Sequence, residues 1–410
     1  MVVLGQAGVA DGLGGLGVQR AGKLCIPVQY AASIAHLVVN VPGVGDALGD
    51  VGGVLHSEIK SCAIDRCMQR GKEMIEWDKK YPCRKLSNGH IRAVGVALTT
   101  HRTSIPAADK ATVTLRLEPD GSYLVLTGAA DLGTGSDTVL TQIMAEAMQT
   151  SPERVCIRSG DTDYGTYDSG AFASSTTYVA GNAILRAAEE LRQKICRQGA
   201  ALLSCAEEDV AFDSGVYVIG EPTRRVTIEE IGAKAEGAGT EEIISTATYV
   251  SGLAPLTFMS GFAEIDLDPE TGKIKLLHYV SVADCGKVLN PALARVQVEG
   301  GVMMGIGMAL YENVHYSKAG KLLTDSFMQY KIPCREDLAP GCIQVDFAES
   351  EEPSGPYGAK SIGEAALHAV APSIGNAMTN ACGIHIRSLP FTAEKVLRAI
   401  QKKAGGTLAE

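Results

Sequence analysis

Twice in 410 residues the sequence runs from a strand hairpin into an Ala-Asp-x-Gly segment and then into a helix. The first copy alternates apolar and polar residues from Ala111 to Leu117, turns at Glu118-Pro119-Asp120-Gly121, alternates again from Tyr123 to Thr127 and reaches Ala130-Asp131-Leu132-Gly133. The second runs from Gly261 to Leu276, turns through Asp268-Pro269-Glu270-Thr271-Gly272 and reaches Ala283-Asp284-Cys285-Gly286. Alternation on both sides of a Pro/Asp/Gly turn marks antiparallel strands with one buried face. A chain that repeats this unit is expected to fold as two related α+β lobes, at about 90–240 and 241–402 within a folded region 58–402.

The helices follow from their periods. Val139, Ile143 and Ala147 fall on one helical face, and glycines 300, 301, 305 and 307 predict close packing of the second copy's helix. Ile184, Ala188, Leu191 and Ile195 form an apolar stripe. Pro372 to Ala381 starts with proline and stops at Gly383, and Thr392 is placed to cap a last helix bearing Val396 and Ile400, before a frayed tail at 403–410.

Residues 1–57 are a Gly- and Val-rich leader without such a period, expected to contribute little to the fold. Gly12-Leu13-Gly14-Gly15-Leu16-Gly17 matches a dinucleotide-binding turn, but the strand before it is too short and no helix follows before Pro27. No acidic residue stands about 20 positions on to take a ribose.

With 46% hydrophobic and 20% charged residues the chain can bury a large core. A net charge of -10 leaves no basic surplus for nucleic acid. Eleven scattered cysteines without a C-x-x-C pair predict reduced thiols in the cytoplasm and no metal held by side chains. Neither a signal peptide nor a membrane span is legible, since Gln29, Ser33, His36, Asn40 and Pro42 break the apolar run near residues 26–44.

Three glycine-rich loops have the composition of ligand sites. Asp131 to Thr138, between strand and helix, can bring backbone amides close to an acceptor; it also reads as an ordinary connection. Ser159 to Asp163 and Tyr167 to Thr177 supply hydroxyl and amide donors without bulk, suited to a pyrophosphate or to a plain Ser/Thr turn. Gly355 to Ala366 carries one carboxylate, Glu364, between Gly363 and Ala365 at a helix start. Poor solvation there would make it a general base, whereas the bland role is to favour the helix dipole.

Together these loops resemble the molybdenum-binding subunit of xanthine dehydrogenase and the related molybdenum hydroxylases. The resemblance is carried by Asp131–Thr138 with Gln142–Glu146, by Gly160–Asp163 through Gly181-Asn182-Ala183, and by Gly358–Glu364 through Asn380–Gly383 and Leu389–Thr392. Asp284–Gly286, Asn290-Pro291, Gln297–Gly300 and Gly305–Gly307 add an intervening block. The resemblance implies the family's second molybdenum-cofactor-binding region, built of mixed α/β lobes. It implies that Gly133, Thr134, Gly135 and Gly363 lie against a molybdenum–molybdopterin cofactor, in plain or dinucleotide form. Ala173, Ser174, Ser175, Thr176 and Thr177 would hold its pyrophosphate, Gln297 would contact the pterin, and Glu364 would be the base.

The reaction implied is hydroxylation of an N-heterocycle of xanthine, hypoxanthine or nicotinate type with water as oxygen source, as in purine catabolism. Aldehydes or an aromatic thioester are alternatives, because Thr103 stands where purine-oxidising relatives often carry a stacking aromatic. The implied partners are a [2Fe-2S] subunit, an FAD subunit and a polypeptide supplying the first cofactor-binding half, whose motifs are not found here. A truncated, non-catalytic assembly remnant is the reading from another class.

Overall fold

The computed structural model describes residues 59–235 and 242–405, so the expectations for residues 1–57 lie outside the described residues. Along the chain run α1 (Ile64–Ile75), α2 (Trp77–Lys80), β1 (Cys83–Lys85), β2 (Ile91–Arg102), β3 (Lys110–Leu117), β4 (Tyr123–Thr127) and α3 (Ser136–Ala147). Then come β5 (Val155–Ser159), α4 (Thr176–Leu203), β6 (Val210–Phe212), β7 (Gly215–Val218), β8 (Glu221–Thr227), α5 (Ile228–Ala235) and β9 (Ile244–Val250). Last are β10 (Leu256–Leu267), β11 (Ile274–Asp284), α6 (Pro291–Leu310), β12 (Ile343–Phe347), α7 (Ala365–His368), α8 (Val370–Cys382) and α9 (Ala393–Lys403).

The described residues divide into two units. The first holds those up to His101, Leu256–Ser350 and those from Ile362 on; the second holds those of 102–255 together with Glu351–Ser361. Each unit contains one hairpin-plus-helix copy. The boundaries differ from the lobes expected at about 90–240 and 241–402, and strand pairing is the reason: β2 joins the sheet of β10, and β9 pairs along β3.

In the first unit the sheet runs β1-β2-β10-β11-β12. Alternate residues of its strands serve two cores, because successive side chains leave opposite faces. Ala93, Met259, Ala263, Tyr279 and Ala283 meet Val298, Val302 and Ile306 of α6 and Ile374, Ala377 and Met378 of α8. Val94, Phe258, Phe262, Val280 and Val282 meet Ile64, Cys67, Met68 and Ile75 of α1. Helices therefore cover both faces.

In the second unit a four-stranded sheet, β5-β4-β3-β9, carries the long α4. The expected stripe Ile184, Ala188, Leu191 and Ile195 is buried. On α3 the buried face is Leu140, Ile143 and Met144, with Val139 and Ala147 only half-buried, because α4 rather than the sheet alone sets which side is covered. A small β6-β7-β8 sheet completes the unit. No helix among the described residues is long and apolar enough to cross a membrane.

The expected caps form: Thr392 accepts the Lys395 amide at 3.3 Å, and Gly383 closes α8 at φ 66°. α8 lies directly on β2 at Gly95, where a Cβ would sit 2.2 Å from the Ala377 nitrogen and from the Ser373 oxygen. Both are backbone atoms and cannot swing aside. Gly95→Ala is expected to cost at least the upper end of the ~1–3 kcal/mol of ordinary overpacking, read as a lower urea midpoint; an unchanged midpoint would show that α8 is free to lift.

Candidate functional site

The two Ala-Asp-x-Gly segments share one local device. Asp131 Oδ1 accepts the Gly133 amide at 2.9 Å, and Asp284 Oδ1 accepts the Gly286 amide at 3.1 Å, so each aspartate folds the chain over itself two residues on. Their surroundings then assign different work. Asp284 is fully buried and also accepts the Ala63 amide and the Ser350 hydroxyl, at 2.7 and 2.6 Å, which makes it a structural tie.

Asp131 is exposed and gathers the amides of Gly135 at 3.1 Å and Asp137 at 3.3 Å as well. Burial pushes its carboxyl up, but the surrounding amides outweigh it and hold the group below the ordinary carboxylate value. The loop amides expected to face a ligand are thus partly occupied by the chain's own carboxylate. Gly133 (φ 92°) and Gly135 (φ 76°) adopt backbone that side chains rarely tolerate. Space in front of Gly133 is open, since nothing lies within 4 Å of a Cβ placed there.

The second loop ends on strained residues. Ala173 and Ser174 hold φ 53° and 51°, a left-handed conformation costly without glycine. The Ser104 amide donates to the Ala173 oxygen, and the buried Ser175 donates its hydroxyl to the Phe172 oxygen. Thr176 and Thr177 open the 28-residue α4, whose N-terminus has no side-chain cap. That end of a long helix, with hydroxyls beside it, is chemically suited to an anion. Nearby, burial raises the carboxyls of Asp109 and Asp168 above the ordinary carboxylate value, and the Asp109 charge raises Asp168 further.

Gly181-Asn182 turns out to hold the segment 351–361. A Cβ on Gly181 would lie 2.8 Å from Pro356, and Asn182 Nδ2 donates to the Ser354 oxygen at 3.1 Å. Thr103 secures the same segment: its hydroxyl donates to Ser361 Oγ at 2.9 Å and accepts the Ser361 amide at 3.0 Å.

Glu364 belongs to the first unit, at the N-terminal edge of α7. α6 packs closely against this edge, as its glycines predicted: a Cβ on Gly301 would meet Ala366 at 2.6 Å and the Gly363 oxygen at 3.4 Å. Gln297 stands one helical turn ahead of Gly301 on the same face, half-buried. The carboxylate is not isolated among Gly363, Ala365 and Ala366 as the sequence suggested. Its side chain is 47% exposed and its Oε2 lies 3.0 Å from His101 Nε2. No sequence signal marked His101, which is 263 residues away. The second unit carries residues 133–135 and 173–177; the first carries Gln297, Gly363 and Glu364.

A family model described as a molybdopterin cofactor-binding domain matches residues 70–339, well over half of the chain. The chain belongs to that family. Members and relatives include "Probable hypoxanthine oxidase XdhD" of Escherichia coli K12, 37% identical over 345 residues, covering 83% of this chain and 35% of that protein. The nicotine 6-hydroxylase large subunit of Paenarthrobacter nicotinovorans is 32% identical over 324 residues, covering 76% and 38%. Among solved structures, quinoline 2-oxidoreductase from Pseudomonas putida 86 matches with a TM-score of 0.75 at 26% identity, over 85% of this chain and 47% of that one. The chain therefore spans between about a third and a half of the length of the proteins it matches. Its resemblance to xanthine dehydrogenase-type molybdenum-binding subunits and its mixed α/β architecture both stand on these matches.

In this family member the Asp131 loop offers a test independent of any ligand. The carboxyl titrates below its unfolded value of about 3.9, so its contribution is complete at neutral pH and is lost as pH falls through the depressed folded value. Asp131→Ala is expected to raise hydrogen-exchange rates at Gly133, Gly135 and Asp137 with little change in global stability. Unchanged protection would mean that the glycines alone shape the loop.

Proposed function

We propose that this chain is the molybdenum-cofactor-binding part of a hydroxylase that oxidises an N-heterocycle, with Glu364 as its base. The observation carrying the proposal is the half-exposed Glu364 carboxylate held at a helix start in a molybdopterin-binding fold. The bound cofactor would supply the two-electron oxidation and the activated, water-derived oxygen. This chain's residues do the rest.

Thr176 and Thr177, with Ala173, Ser174 and Ser175, would hold the anionic pyrophosphate at the uncapped end of α4. Gly133, Thr134 and Gly135 would lie against the cofactor across the open space before Gly133. Gln297 and Gly363 would contact the pterin side. Glu364 would accept the proton released as oxygen is added to an electron-poor carbon.

Hypoxanthine, nicotine and quinoline, which appear in the names of relatives, are all N-heterocycles, and this supports that substrate class. Aldehydes are the second reading, since an Escherichia coli protein named aldehyde oxidoreductase molybdenum-binding subunit PaoC is 30% identical. Thr103 favours neither stacking nor direct contact, being buried with both bonds to Ser361. Electrons would leave through [2Fe-2S] and FAD subunits in a cytoplasmic complex, and a segment resembling the family's first cofactor-binding half, in the same or another polypeptide, would complete the site.

Two experiments test this. Molybdenum and pterin are expected to co-purify only when a polypeptide resembling the family's first half is co-expressed; stoichiometric metal on the 410-residue chain alone would contradict it. In the assembled enzyme, Glu364→Gln should lower turnover by about 10²–10⁴-fold while molybdenum content and folding persist. Near-normal turnover would leave Glu364 a structural residue, loss of metal would make it a cofactor-site residue, and no turnover in the native assembly would favour the assembly-remnant reading.

A further inference from the structure

The Glu364 carboxylate meets the first of two packed histidines, a contact that its proposed role as base leaves unexplained. His101 is next to last in β2 and His368 closes α7, four residues after Glu364 and so on the same helical side. His101 Nε2 is 3.0 Å from Glu364 Oε2, and the His101 and His368 rings meet edge to face, with centroids 5.4 Å apart and planes at 63°. An ionised carboxylate only accepts, so at this contact Nε2 must carry the hydrogen.

The supports of the pair are rigid. Gly95 lets α8 sit against β2, and Asn376 and Asn380 donate their Nδ2 groups to the Val96 and Val94 oxygens at 2.8 and 2.7 Å. Strand and helix are thereby braced against each other. Burial, then His101, push the His368 imidazole below its ordinary value. It stays neutral at neutral pH and adds a wall against the His101 ring without a competing cation. His368 Nδ1 makes no hydrogen bond among the described residues, which fits a ring placed for its shape.

We propose that His101 is the positioning residue of the base, its Nε2–H fixing the Glu364 carboxylate while His368 fixes the orientation of the His101 ring. The proposal rests on the reading of Glu364 as the base. A glutamate at the edge of a four-residue helix, with 47% of its side chain exposed, has several staggered rotamers within its reach. One hydrogen bond from a ring that is itself wedged restricts that choice.

The test uses His101→Leu and His101→Gln in the assembled enzyme, and ring nitrogen-15 NMR on the full chain with labelled histidines. Leucine removes the donor. Glutamine places an N–H close to the lost Nε2. The expected result is that His101→Leu lowers kcat about 10- to 100-fold, the scale of losing a defined approach, with KM nearly unchanged. His101→Gln should recover most of the loss, and the His101 ring signals should report an Nε2–H tautomer that changes in Glu364→Ala. Should the leucine variant fail to fold, the glutamine variant and the ring signals decide. Glutamine no better than leucine, full activity in the leucine variant, or ring signals indifferent to Glu364→Ala would each overturn the positioning role. Normal turnover in Glu364→Gln with a responsive ring signal would overturn the base itself and leave the pair as a structural contact, an outcome distinct from the others.

Discussion

Beyond Ala93, β2 has lost its neighbour β1, which pairs only with Ile91–Ala93, and the edge it presents would leave carbonyl oxygens without donors. Asn376 and Asn380 of α8 fill this place from outside the sheet, with amides on the Val96 and Val94 oxygens. Two side chains four residues apart on a helix match two carbonyls two residues apart on a strand, because a helical turn of 5.4 Å is close to the repeat of a strand pair. Gly95, between the two carbonyls, removes a Cβ that would hold the helix away. α7 and Glu364 precede α8 directly, and His101 stands one residue before the end of the same strand. The pair at the candidate site thus depends on a bond made one layer beneath it.

The repeated Ala-Asp-x-Gly segment shows how little of a motif's role its residues decide. Asp131 and Asp284 make the same short-range turn, yet the first gathers loop amides at the surface and the second disappears into the core with Ala63 and Ser350 as partners. Burial is decided by α1, which covers one segment through contacts more than two hundred residues away in sequence. Nothing comparable covers Asp131, which is exposed. A turn is a local property; what it serves is a tertiary one.

The same distinction separates what could be read from the sequence from what could not. Both hairpins, the Thr392 cap, the Gly383 stop and the α4 stripe depend on residues within a few positions of one another, and all are found. The close packing foreseen from the α6 glycines is found at Gly301 and Gly305, whereas nothing among the described residues lies within 4 Å of a Cβ placed on Gly300. The alliance of β2 with β10, the burial of Thr103 against Ser361 and the approach of His101 to Glu364 join segments 150 or more residues apart, which no spacing rule reaches. Glu364 was legible as a lone carboxylate in apolar company. Its contact with His101 was not.

The strained end of the second loop bears on function through what the chain has declined to do. Glycine at 173 and 174 would adopt the left-handed backbone freely, whereas Ala173 and Ser174 hold it at a cost on the order of 1–3 kcal/mol each. A glycine pair would also leave the loop free to take other shapes, so part of any binding energy would go into ordering it. The strain is sustained locally by the Ser104 amide on the Ala173 oxygen, the Ser175 hydroxyl on the Phe172 oxygen and the start of α4 immediately after. In the pyrophosphate site proposed above, backbone fixed ahead of time at Ala173 and Ser174 would favour one bound anion over several loop shapes, at the residues that open the longest helix of the second unit.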